Sequence, residues 1–178
     1  MSYYVGSDNN DLKRYYEASK VFNLDIIVRI ISDCPFFDPI LLDEIIAFYN
    51  SHDYDSIRNI DGKNAFPIGL DMEIFSFQTL DIIFQNAKTK YEKEHVNPYI
   101  LNHPELFTIF IYNSVNHKLF IELRFTIDYK EDLEMLREVY KKLMEDGKSI
   151  NFSIHDLFKI IEKYPEIIDM NKKYEWKD

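Results

Sequence analysis

The sequence predicts an α/β domain built on an open, mostly parallel sheet, and three features predict it. Residues 25–31 read Asp-Ile-Ile-Val-Arg-Ile-Ile, a short, nearly continuous apolar run rich in β-branched side chains. Such runs mark strands buried on both faces. Asp38-Pro39 follows closely; an aspartate can cap the free N–H groups of a helix, and proline suits its first position. Strand-like and helix-like segments then alternate along the chain, as they do where helices cover a sheet.

The first helix is expected over residues 10–22, with Leu12, Tyr15, Tyr16 and Ser19 on one side. The strand at 25–31 stops at Ser32-Asp33-Cys34-Pro35. The helix opened by Asp38-Pro39 turns Leu41, Leu42, Ile45, Ile46 and Tyr49 inward. Residues 54–58 and 70–77 read as strands, and 77–87 and 91–101 as helices. Residues 107–113 and 119–127 read as strands, antiparallel or mixed. Residues 131–144 form an amphipathic helix. The last helix is expected at 153–164, with Ser153 as cap and Asp156 in its first turn. One domain is expected over residues 1–170, with a C-terminal tail at 171–178 that is loose from Tyr174 onward.

The 178 residues suit one domain of ordinary size, and 46% hydrophobic residues can fill a sizeable core. A net charge of −10 argues against non-specific nucleic-acid binding, because phosphates would be repelled. It leaves room for an anionic nucleotide, since a bound divalent cation overrides the global field locally. Cys34 is the single cysteine, so an intramolecular disulfide is excluded and a cysteine-based zinc site is disfavoured. No basic-then-apolar leader and no run long enough for a membrane span are seen, and a reducing cytoplasmic setting is expected.

In open α/β sheets, ligands bind beyond the C-terminal ends of the strands. Asp33 lies at such an end, and Asp128 follows the strand-like Leu123-Arg124-Phe125-Thr126-Ile127 and precedes a helix. Each has two readings. Either could cap the turn or helix that follows. Together they could hold Mg²⁺, which needs one or two carboxylates plus substrate phosphates. Asp71 and Glu73 stand two apart on an expected strand and share a face; they could meet sugar hydroxyls, or a basic partner in the sheet. Asp53-Tyr54-Asp55 imitates a metal-binding Asp-x-Asp but precedes a strand, and reads as a solvated turn. Glu92-Lys93-Glu94-His95 lacks the two-histidine spacing of zinc proteases.

Several blocks resemble the spore coat polysaccharide biosynthesis cytidylyltransferases. They are Val5-Gly6-Ser7-Asp8 through Leu12-Lys13-Arg14-Tyr15-Tyr16, Ile27-Val28-Arg29-Ile30-Ile31-Ser32-Asp33-Cys34-Pro35 with Asp38-Pro39, and Gly69-Leu70-Asp71-Met72-Glu73-Ile74-Phe75-Ser76. Tyr91 through Ile100, Leu123 through Asp128, and Glu131-Asp132-Leu133-Glu134 complete the set. The family is related to the CMP-Kdo and CMP-sialic acid synthetases. The resemblance implies a Rossmann-like nucleotidyltransferase (nucleotide-diphospho-sugar transferase) fold in three layers. It also implies Mg²⁺-dependent transfer of a cytidylyl group from CTP to a sugar or sugar acid for surface polysaccharide. In that scheme a sugar hydroxyl attacks the α-phosphorus and pyrophosphate leaves. Asp33 and Asp128 match the two metal aspartates, and Arg14 matches an arginine near the nucleotide. Asp71, Glu73, Glu94 and His95 are candidate substrate contacts.

The likeness also has gaps. The family's Gly-, Arg- and Lys-containing phosphate loop finds no match, so the fold is expected in an N-terminally truncated form. Ser32 replaces the usual Gly, Lys13 an acid, and Tyr129-Lys130 the usual Thr-Pro. The alternative function is therefore a non-catalytic sugar-binding or assembly domain, and negligible transfer by this chain alone is expected. A sheet lacking its first strands would leave the strand at 25–31 with an open edge, so a homo-oligomer is expected.

Overall fold

Local signals in the sequence set where the helices begin. The Asn10 side chain accepts a hydrogen bond from the Lys13 N–H and starts α1 (Asp11–Phe22). Ser76, Thr89 and Ser153 do the same for three later helices. The structure, a computed structural model, describes residues 2–60, 66–113, 123–148 and 150–174. After α1 come β1 (Ile26–Arg29), α2 (Pro39–Ser51), β2 (Ser56–Arg58), β3 (Glu73–Ser76), α3 (Phe77–Asn86), α4 (Lys90–His95) and α5 (Pro98–Asn102). They are followed by β4 (Ile109–Ile111), α6 (Lys130–Glu145), α7 (Ile154–Lys163) and a 3₁₀ helix (Pro165–Met170). The chain divides into two compact units: Met1–Arg29, Tyr49–Arg58 and Glu73–Phe110 in the first, and Ile30–Phe48, Asn59–Met72 and Ile111–Asp178 in the second.

The first unit is organised by a sheet of order β1-β3-β2-β4. β3 is antiparallel to both neighbours, with Glu73 opposite Arg29 on one side and Arg58 on the other. Its core joins Leu12 of α1, Ile27 and Phe75 of the sheet, Leu80 and Ile83 of α3, and Val96 and Ile100 beyond. Tyr16 stacks on Phe84 with ring centroids 4.0 Å apart. Burying side chains of this size contributes roughly 1.5–3 kcal/mol each.

In the second unit α6, α7 and the 3₁₀ helix pack together. Met135, Leu136, Val139 and Leu143 form the buried stripe of α6, and Ile154, Leu157, Phe158, Ile160 and Ile161 that of α7. Phe36 meets Phe125 and Phe152 edge-on or tilted. Asp38 joins two helix starts 116 residues apart. One carboxylate oxygen accepts from the Ile40 and Leu41 N–H groups at 2.8 and 3.3 Å, and the other from the Ile154 N–H at 2.8 Å. Gly69 has φ +90°, and a Cβ there would run into the Phe125 and Thr126 backbone, so only glycine lets these two segments touch.

Several expectations change. The parallel arrangement is not found in the pairs of β3, which runs against both β1 and β2; antiparallel pairs need no helical crossover. The strand at 25–31 is shorter, and only one face is covered: Ile27 is buried while Ile26 is exposed. The helix expected at 91–101 is two helices, broken where Val96 takes φ 64°, ψ −61° and the Asn97 N–H reaches back to the His95 carbonyl at 2.7 Å. This is a strained γ-turn, and Pro98 then opens α5. Of the strand expected at 119–127, residues 119–122 lie outside the described residues, and the remainder contributes one parallel bridge, Ile68 to Arg124. Of the expected tail at 171–178, the described residues 171–174 are packed: Asn171 is buried and Tyr174 stacks on Tyr129.

Candidate functional site

Three segments of the second unit lie side by side around Asp33. The Ile127 N–H donates to the Asp33 carbonyl at 2.9 Å. Beside it, the Phe125 N–H donates to the Ile68 carbonyl at 2.7 Å, and the Ile68 N–H to the Leu123 carbonyl at 3.2 Å. Asp128 is thus one residue beyond the main-chain partner of Asp33. The Cys34 thiol donates to the Asp33 carboxylate at 3.6 Å. Burial first, then the charges of Asp71 and Asp33, push that thiol well above its ordinary range. Asp71 and Asp33 therefore both act on the Cys34 sulfur, and Asp128 adjoins them in the chain pairing.

The helix-capping reading of Asp128 gives way to another residue, while Asp38 serves as the expected cap of the helix it opens, α2. Asp132 caps α6, accepting from the N–H groups of Asp128 and Tyr129 at 3.0 and 2.9 Å. The Asp128 side chain instead receives Nη2 of Arg124 on Oδ2. Arg124 also binds Asp132 through Nε at 3.2 Å and Nη2 at 3.3 Å. Burial alone would lower the Arg124 pKa, but Asp132 and Asp128 outweigh it and hold it above the usual arginine value. Asp132 is fully buried. Burial opposes its charge, yet the hydrogen bonds from Arg124, Asn171 and the two main-chain N–H groups hold it below the usual aspartate range. Sequence reasoning passed over Arg124, Asp132 and Asn171. The signal for Asp132 was its place in the first turn of α6, where a carboxylate can reach back to free N–H groups.

Of the remaining candidates, Arg14, Glu73, Glu94 and His95 lie in the first unit, and Asp71 in the second. Arg14 is held locally, donating to the Ser7 carbonyl at 2.8 Å and pairing with Asp11 at 2.8 Å. Glu73 is buried between its cross-strand neighbours, with Arg29 at 3.7 Å; of the two readings offered for it, the basic partner in the sheet is the one seen. Burial raises the Glu73 carboxyl, and Arg58 and Arg29 counteract it in part. Asp71 precedes β3 rather than sharing its face with Glu73. Glu94 and His95 are exposed at the end of α4, with the His95 ring 4.6 Å from that of Tyr91. Asp55 of the Asp-x-Asp imitation clips Thr108, accepting from its N–H at 2.7 Å and its hydroxyl at 2.8 Å.

The donors around Asp33 suit a hard divalent cation. They are carboxylate oxygens, and the one sulfur nearby is held as a neutral thiol. Among the described residues no three His, Cys, Asp or Glu side chains converge as a metal cage. An ion here would rest on one or two carboxylates and on ligand oxygens, the habit of Mg²⁺.

Comparison with known proteins gives concordant matches. The family model described as Cytidylyltransferase matches residues 4–152. An uncharacterized protein of Methanocaldococcus jannaschii is 34% identical over 168 residues, covering 93% of this chain and 65% of that protein. The spore coat polysaccharide biosynthesis protein SpsF of Bacillus subtilis is 30% identical over 164 residues, covering 90% of this chain and 65% of that protein. The chain therefore spans about two thirds of the length of these relatives. A solved cytidylyltransferase structure from Leptospira borgpetersenii superposes with a TM-score of 0.84 at 31% identity, covering 98% of this chain and 70% of that one.

Proposed function

Because the chain belongs to the cytidylyltransferase family, with the Rossmann-like nucleotidyltransferase fold of its solved relative, we propose that it serves Mg²⁺-dependent transfer of a cytidylyl group from CTP to a sugar or sugar acid. The product would feed surface polysaccharide, as the name of the SpsF relative suggests. One observation carries the reading of the site. Asp33 and Asp128 adjoin through the Ile127 hydrogen bond, and the cap of α6 that would otherwise explain Asp128 belongs to Asp132. Asp33 and Asp128 would hold the ion. When bound, Mg²⁺ neutralises triphosphate charge and aligns it for in-line attack.

The chain's own residues prepare that role. The Gly69 contact and the Ile68–Arg124 bridge fix the segment leading to Asp128. Arg124 restrains Asp128 through Oδ2, and no hydrogen bond to Oδ1 is seen among the described residues. Asp71 adds its charge beside Cys34 and remains a candidate for substrate contact. Glu94 and His95, exposed on α4, remain candidates for substrate contact, and Arg14 for the nucleotide. A free thiol at Cys34 fits the reducing cytoplasm, and no helix among the described residues is long and apolar enough to cross a membrane.

Calorimetry with CTP tests the reading. Binding should need Mg²⁺ and should vanish with chelator. Sugar acid binding with no response to CTP at any Mg²⁺ concentration would instead support a non-catalytic sugar-binding domain. That second reading draws on the grip of Arg124 on Asp128.

A further inference from the structure

The family match ends at residue 152, yet a residue beyond it reaches the loop that carries Asp128. Asn171 is buried, and its Nδ2 donates to the Asp132 carboxylate at 2.9 Å and to the Arg124 carbonyl at 3.2 Å. Asp132 in turn holds the Arg124 guanidinium and the Asp128 and Tyr129 N–H groups, and Arg124 holds the Asp128 carboxylate. Around this chain of bonds the C-terminal segment closes a clasp. Tyr174 stacks on Tyr129 with centroids 3.8 Å apart and planes within 3°, and its hydroxyl donates to Glu131 at 3.0 Å. Lys173 pairs with the same Glu131.

We infer that Asn171 is a positioning residue for Asp128, acting through Asp132 and Arg124, so that the segment after α7 tunes the metal affinity of the site. The inference rests on the reading of Asp128 as a metal ligand. Its physical basis is the division of Asp132. Oδ1 is shared by Asn171 and Arg124 Nε, while Oδ2 serves Arg124 Nη2 and the two main-chain N–H groups. Without the Asn171 donor, the buried carboxylate is short of a partner and turns to recover one. Arg124 then shifts with it, and the Arg124–Asp128 pair changes geometry. Residues that orient metal ligands in this way typically change metal affinity about 10–100-fold when removed.

The test uses Mn²⁺ as an EPR-visible stand-in, titrated into the chain with CTP present. Four proteins are compared: wild type, Asn171→Ala, Asp128→Asn, and Ile167→Val. The last trims a buried side chain of the 3₁₀ helix that touches none of these bonds, and controls for lost stability. The expected result is Mn²⁺ binding weakened at least about tenfold by Asn171→Ala and by Asp128→Asn, with Ile167→Val unchanged. If Asp128→Asn weakens binding and Asn171→Ala does not, the positioning role is overturned and the metal reading stands. If Ile167→Val weakens binding as much as Asn171→Ala, the effect is general destabilisation and the role is again overturned. If Asp128→Asn leaves binding unchanged, the metal reading falls and the positioning role falls with it.

Discussion

Asp132 and Glu73 show how two buried carboxylates can influence stability in opposite directions. Hydrogen bonds lower the Asp132 pKa in the folded chain. Its contribution is present above the unfolded value of about 4 and is lost as pH falls through the depressed folded value. Burial raises Glu73, so its folded form favours the proton; that contribution is present at low pH and lost as pH rises through the raised value. Denaturation followed from pH 7 downward should show wild type losing stability below about pH 4 more steeply than Asp132→Asn. At pH 7 the substitution should cost about 1–3 kcal/mol. Equal slopes below pH 4 would mean that Asp132 does not carry the depressed proton affinity.

The sequence could not distinguish which acid caps α6. Asp128 and Asp132 both stand near its start, and either can serve an N-terminal turn. The choice depends on Arg124 and Asn171, the latter 39 residues from Asp132, and distant partners leave no local signature. Glu73 was ambiguous for a similar reason: its neighbours Arg29 and Arg58 become visible only once the strands are in register.

At the scale of elements, β1 is the informative case. It occupies one end of the sheet, and no strand among the described residues pairs with its outer side. The Phe77 N–H donates to the Asp25 carbonyl at 2.9 Å. With Ile26 opposite Ser76, the alternation of an antiparallel ladder directs the Ile27 N–H toward β3 and the Ile26 and Val28 N–H groups outward. Hydrogen exchange should therefore be fast at Ile26 and Val28 and slow at Ile27 in dilute solution. The homo-oligomer expected from the sequence would use this edge, and protection at Ile26 and Val28 that rises with concentration would mark it. Slow exchange at all three positions in a monomer would contradict the edge assignment.

The β-branched run at 25–31 was legible as a strand, but its one-sided burial was not, because the same run suits an edge or a centre. The starts of α2 and α7 were legible from Asp38-Pro39 and Ser153, whose side chains act on their own helix starts, while the caps Asn10 of α1 and Ser76 of α3 were not singled out. The break at Val96 was not legible, since a valine with positive φ opposes local propensity and is held by its complete burial. The 3₁₀ helix after Tyr164 was missed because Pro165 reads as a stop.

At the scale of the molecule, long-range bonds complete what the local signals begin. Asp38 ties the start of α2 to that of α7, and Asn171 ties the C-terminal segment to the start of α6. Both place hydrogen-bonding side chains where helix ends would leave buried N–H groups or carboxylates unpaired. The family was legible from blocks in order along the chain, and the matches over residues 4–152 and to the solved relative bear it out. The central claim is that Asp33 and Asp128 act together on one metal ion with the nucleotide. Calorimetry of CTP with and without Mg²⁺ on wild type, Asp33→Asn, Asp128→Asn and the double substitution tests it most directly. Ligands of a shared ion should be strongly non-additive: either single substitution should remove most of the Mg²⁺-dependent gain in CTP affinity, and the double should remove little more. A gain that survives both single substitutions, or losses that simply add, would contradict it.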